Sequence, residues 1–129
     1  SGSTLQRIVP YVPNDRFSFT TTDPITAIEL CKIGLPVVNI VGGKLDRDNQ
    51  TITGLQATRF LADINIDIAL LSPSGLSDRS GFTVGHYLPY TFCNFDRADI
   101  LITDAPLPPE LKQLAVERDV QCIDVSQTN

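Results

Sequence analysis

The sequence holds few metal ligands. Its three cysteines, Cys31, Cys93 and Cys122, are widely spaced with no Cys-x-x-Cys pair, and His86 is the only histidine that could join them. A zinc site needs closely spaced Cys and His, and a disulfide framework needs an even set, so neither is expected. Basic residues are sparse too, with 10 Lys and Arg against 15 Asp and Glu, a formal net charge of −5 and a pI near 4.6. Gripping a phosphate backbone takes a basic stripe or patch, and here the Lys and Arg are isolated. This stretch of chain is therefore not expected to bind DNA by itself. No apolar run approaches the roughly 20 residues of a membrane-spanning helix, and no signal-peptide pattern opens the chain. A cytoplasmic location away from membranes is expected, with no cofactor and no metal.

What is present is the material of an α/β domain. The 129 residues are 42% hydrophobic, enough for one domain with a core of its own. Helical and strand periods alternate along the chain. Leu5, Ile8, Val9 and Val12 recur at helical spacing, which predicts a helix over 4–12 that stops before Pro13. A short strand follows over 16–20. Asp23 and Pro24 form an N-cap and first helical residue, with Ile25, Ile28 and Cys31 expected on the buried side until Gly34 ends the helix. "PVVNIV" (36–41) reads as a strand covered on both faces. Ala57, Phe60, Leu61 and Ile64 mark a third helix, "DIALL" (67–71) a further strand, and "ADILIT" (98–103) another. The helix over 108–119 is expected to bury Leu111, Leu114 and Ala115, and the last strand covers 120–125. Strands separated by helices predict a Rossmann-like, mainly parallel sheet with helices on both faces.

In such sheets ligands lie beyond the carboxyl ends of the strands. The loops there are small, hydroxyl-bearing or rich in glycine: Thr21, Thr22 and Asp23 after the first strand, Gly42 and Gly43 after the second, Ser74 and Gly75 after the third. The opening residues Ser1, Gly2, Ser3 and Thr4 run straight into a helix, an arrangement that suits an anion held by backbone N–H groups and hydroxyls. Asp23 admits two roles, a cap for the following helix or an acceptor for a ligand hydroxyl. Other candidates fail. "DRDN" at 46–49 hints at a calcium loop, but Thr51 stands where glycine is required and Ala57 where a bidentate Glu belongs, leaving a hydrated turn. Gly42 and Gly43 lack the third glycine and the helix of a dinucleotide fingerprint. His86 has neither a nucleophile at a recognisable spacing nor a second histidine for a metal.

The order "SGST", "TTTDPITAIEL", "VVNIVGGKL", "TITG", "DIALLSPSGLSDRSGFT" and "ADILITDAPLPPELKQLAVERDVQCIDV" resembles the effector-sensing C-terminal domain of DeoR-type bacterial transcription repressors, whose fold is related to ribose-5-phosphate isomerase. The resemblance runs from Ser1 to Val125. It implies a sensor that binds a phosphorylated sugar or related metabolite, works as an oligomer, and controls operator DNA through an N-terminal winged helix. It also implies a strand ahead of Ser1 and more chain near Gly85–His86 than is found here, so a piece of a longer repressor is expected, its 1–129 forming one effector-sensing domain. A sugar-phosphate isomerase is the competing reading. Isomerase chemistry needs a base and a group to stabilise the enediolate. The loop from Ser72 to Ser77 holds serines where the relative has carboxylates, no Lys occurs between Lys44 and Lys112, and Asp78 beside Arg79 is the one nearby base. Binding without catalysis is the expectation.

Overall fold

Pro10 shapes the start of the chain, because a proline lacks the N–H that would bond back to Gln6 and its ring collides with that carbonyl. In the computed structural model, which describes residues 3–13, 17–34, 37–73, 75–77, 81–84 and 90–126, the first helix accordingly ends early. Helix α1 covers only Ser3–Gln6, and a single 3₁₀ turn follows over Val9–Tyr11. The helix expected over 4–12 is thus two short pieces. Its apolar face survives the break, for Val9 is buried against Leu30 with Val12, Phe19, Ile33 and Val38 packed around them.

The chain forms two compact units, Ser1–Ser72 and Pro73–Asn129. In the first, strand β1 (Ser18–Thr21) pairs in parallel with β2 (Val37–Ile40), Ser18 opposite Val37 and Thr21 opposite Ile40. Helix α2 (Pro24–Lys32) connects them and Gly34 follows its end with φ at 76°, a conformation glycine adopts without steric penalty. The buried row of α2 is Ala27 and Leu30. Ile25, Ile28 and Cys31, expected inside, are exposed, Ile28 to 57%. Two apolar rows lie side by side on this helix, and contact with β1, β2 and the 3₁₀ turn selects the smaller one.

Beyond β2 a hairpin of β3 (Lys44–Asp46) and β4 (Thr51–Thr53) leads to helix α3 (Leu55–Ala62), which buries Ala57. The "DRDN" stretch is the hairpin turn. Asp46 accepts the N–H groups of Asp48 at 3.0 Å and Asn49 at 3.2 Å and the Asn49 side-chain amide at 3.1 Å. The Asn49 bonds foremost hold its carboxyl below the ordinary value. No strand forms over 67–71 among the described residues, and Ile68, Leu70 and Leu71 are exposed. An apolar run becomes a strand only where a neighbouring edge offers its backbone groups.

The second unit opens with an antiparallel meander of β5 (Gly75–Ser77), β6 (Gly81–Val84) and β7 (Tyr90–Cys93), irregular in register between Phe82 and Thr83. It continues with β8 (Ile100–Thr103), α4 (Pro109–Glu117) and β9 (Gln121–Asp124), a parallel pair joined by its helix. Leu111 and Ala115 of α4 are buried with Phe95 and Val120, and Leu114 packs against them, as expected. The protein is thus an α/β fold with parallel strands and flanking helices, to which the hairpin and meander add antiparallel pairs.

The end of α4 yields a stability test. Val120 donates to Ala115 at 2.9 Å, closing a Schellman-type cap in which Asp119 takes the left-handed conformation, φ 56°. A side chain there is strained, and Asp119→Gly is expected to stabilise the protein by about 0.5–1 kcal/mol. Urea unfolding of the two proteins, with equal m-values, measures it; an unchanged or lower midpoint contradicts the strain assigned to Asp119.

Candidate functional site

The carboxyl ends of β1 and β2 are joined by a network centred on Asp23. This residue is the N-cap of α2 and is only 2% exposed. Its Oδ1 accepts the N–H groups of Ile25 at 2.9 Å and Thr26 at 3.3 Å. Oδ2 accepts the Thr26 hydroxyl at 3.0 Å and the Gln6 side-chain amide at 3.1 Å. The cap role read from the sequence is therefore built, and the Gln6 bond extends it by tying α1 to the loop. Burial is the strongest single influence on the Asp23 carboxyl and pushes its pKa up. The bonds from Gln6, Thr26 and Ile25 together outweigh it, and the pKa lies below its ordinary value. An ionised carboxylate with both oxygens engaged serves as a strut. It is poorly suited to act as a base.

The two threonines before it are also placed by hydrogen bonds. Thr21 accepts the Asp23 N–H on its hydroxyl at 3.0 Å and the Val41 N–H on its carbonyl at 3.0 Å, which continues the β1–β2 ladder to the start of the glycine pair. Thr22 is bound to the hairpin. Its carbonyl accepts the Ile52 N–H at 2.7 Å, and its hydroxyl lies 3.1 Å from that of Thr51. Both threonines are half-buried.

Gly42 and Gly43 differ in what they require. A Cβ on Gly43 would stand 2.6 Å from the Thr53 carbonyl oxygen and 2.9 Å from the Ile52 side chain, so this glycine lets the loop lie flat on the hairpin. A Cβ on Gly42 would meet nothing within 4 Å. Space and backbone conformation leave Gly42 free to be any residue.

The other expected site residues fare differently. Ser3 and Thr4 are the exposed first residues of α1, so the helix starts one residue earlier than expected and Ser3 stands within it. Ser1, Gly2 and Ser74 lie outside the described residues, as do Asp78, Arg79 and His86. Gly75 opens β5 in the second unit. Thr21, Thr22, Asp23, Gly42 and Gly43 come together in the first unit. Sequence reading missed Gln6, Thr51 and the hydroxyl of Thr26. Of these, only Thr26 carried a signal, three residues after the cap; Gln6 and Thr51 are joined to the loop by tertiary contacts 17 and 29 residues apart in sequence.

No group of three or more His, Cys, Asp or Glu able to hold a metal occurs among the described residues, and no described helix is long and apolar enough to cross a membrane. Residues 1–88 match the family model of the DeoR C terminal sensor domain. No protein of curated function and no solved structure matches the chain.

Proposed function

This chain belongs to the family of DeoR C-terminal sensor domains, and we propose on that basis that its effector lodges at the carboxyl edge of β1 and β2. The domain is an effector sensor of a transcription regulator and not a catalyst. The observation that carries the placement is the Asp23 network, which draws α1, the threonine loop and the start of the glycine pair to one place while leaving Gly42 open. Thr21 and Thr22 offer hydroxyls and Gly42 offers a bare backbone. Ser1, Gly2, Ser3 and Thr4 hold the anionic end of the ligand. The effector in this reading is a phosphorylated sugar, read in the cytoplasm by one sensor domain of an oligomeric repressor whose DNA contacts are made by other residues.

Gly42→Ala is the direct test. The open space around Gly42 makes the substitution nearly neutral for folding, within about 0.5 kcal/mol. A ligand that approaches the backbone there meets the new methyl group, and affinity is expected to fall about tenfold or more. Thermal unfolding of both proteins across a panel of sugar phosphates reads this, since a ligand at 100 times its Kd adds about 2.7 kcal/mol to native stability. Ligand-induced stabilisation of equal size in the two proteins would overturn the placement.

A further inference from the structure

The site as described has hydroxyls, backbone and a buried carboxylate, yet an anionic effector also calls for a cation. We propose that Lys44 supplies it: the hairpin presents the Lys44 ammonium to the anionic group of the effector, a phosphate or a carboxylate, beside the Thr22 and Thr51 hydroxyls. The inference rests on the effector site proposed above and adds the residue that selects the charge of the ligand.

The register of the hairpin carries the argument. Lys44 lies opposite Thr53 and Asp46 opposite Thr51, with Leu45 opposite Ile52 between them. Directly opposed residues share a face and alternate residues return to it, so Lys44, Asp46, Thr51 and Thr53 stand on one face, Leu45 and Ile52 on the other. Thr51 on the first face reaches the Thr22 hydroxyl at 3.1 Å, which marks it as the face turned to the effector loop. The Thr51 hydroxyl also lies 3.3 Å from the Thr22 carbonyl. Its single proton has two acceptors, and when it goes to the nearer Thr22 hydroxyl the Thr22 O–H proton is free for a ligand oxygen.

Lys44 is exposed and makes no ion pair with any described residue. Asp46, the carboxylate on its own face, accepts hydrogen bonds from Asp48 and Asn49 at the turn, and the Lys44 charge is the smallest of the influences that hold its carboxyl down. Lys44 is two residues from Gly42, whose surroundings are open. Thr53 donates its hydroxyl to the Lys44 carbonyl at 3.3 Å, which steadies the backbone from which the side chain extends. Of the other described cations of the first unit, Arg7 follows α1, Lys32 is paired to Glu29 at 2.7 Å, Arg47 is in the hairpin turn and Arg59 is in the last turn of α3.

The experiment measures binding to the wild-type chain and to Lys44→Gln and Lys44→Arg by calorimetry. The probes are ribose 5-phosphate, fructose 1-phosphate and glucose 6-phosphate, each beside its unphosphorylated sugar, with gluconate and glucuronate as the carboxylate arm. The wild type should prefer an anionic probe to its neutral counterpart, and Lys44→Gln should lose about ten- to a hundredfold of that affinity, as a charged hydrogen bond implies. Affinity for the neutral sugar should not move, and Lys44→Arg should retain most of the preference. Whichever arm loses affinity identifies the anion. Undiminished preference in Lys44→Gln overturns the role of Lys44; if Gly42→Ala weakens the same probe, the effector site itself still stands. Undiminished binding in Gly42→Ala instead overturns the site, and failure of the wild type to bind any probe overturns both.

Discussion

Replacing Asp23 with alanine should lower native-state stability by about 3 kcal/mol, a large share of the 5–15 kcal/mol typical of a domain. Loss of an N-cap alone costs about 0.5–2 kcal/mol. The remainder comes from Gln6 and Thr26, whose amide and hydroxyl bond to Oδ2 and are left without an acceptor where the cap was buried. Asp23→Asn keeps an acceptor for the two N–H groups and should cost nearer 1 kcal/mol. The wild type and Asp23→Asn also differ in their response to acid. Because the folded-state pKa of Asp23 is depressed, its contribution is complete above the unfolded carboxyl value, about 3.9, and is lost as pH falls through the lower folded value. Urea unfolding from pH 7 down to pH 2 should show wild-type stability falling toward that of Asp23→Asn, whose own curve lacks this component. Parallel curves for the two proteins below pH 4 would contradict the assignment.

Gly43→Ala should destabilise the protein by about 2–3 kcal/mol, while Gly42→Ala, one residue earlier, leaves stability almost unchanged. The contrast is steric. A methyl group at Gly43 is driven to 2.6 Å from a backbone carbonyl and 2.9 Å from the Ile52 side chain, and the oxygen cannot rotate away without disturbing the Lys44–Thr53 pairing. Overpacking of this kind costs roughly 1–3 kcal/mol. Since Ile52 also donates to Thr22, displacement of the hairpin should loosen the effector loop, and amide exchange at Ile52 and Val41 should quicken. Equal unfolding midpoints for the two alanine variants would show that the loop relaxes freely and that the close approach is not a constraint.

Much of this was legible in the residues themselves. The Asp23–Pro24 start of α2, the glycine after its end, the Leu111–Ala115 face of α4 and the turn at Asp46 are local features, set by capping geometry, backbone permissiveness and helical period within a few residues. The family and its sensor role were legible as well, through the order of short motifs read from Ser1 to Val125, of which the family match covers residues 1–88. Tertiary structure alone decided the rest. Which of two apolar rows on α2 turns inward depends on what it meets, and periodicity contains no information about the partner. Whether Asp67–Leu71 becomes a strand depends on a free neighbouring edge, which no local pattern encodes. The same reason explains the site: Gln6 meets Asp23, Thr51 meets Thr22, and Lys44 shares their side of the hairpin only because the chain returns. Sequence names which groups can donate, accept or carry charge, while the contacts between distant residues determine which of them meet.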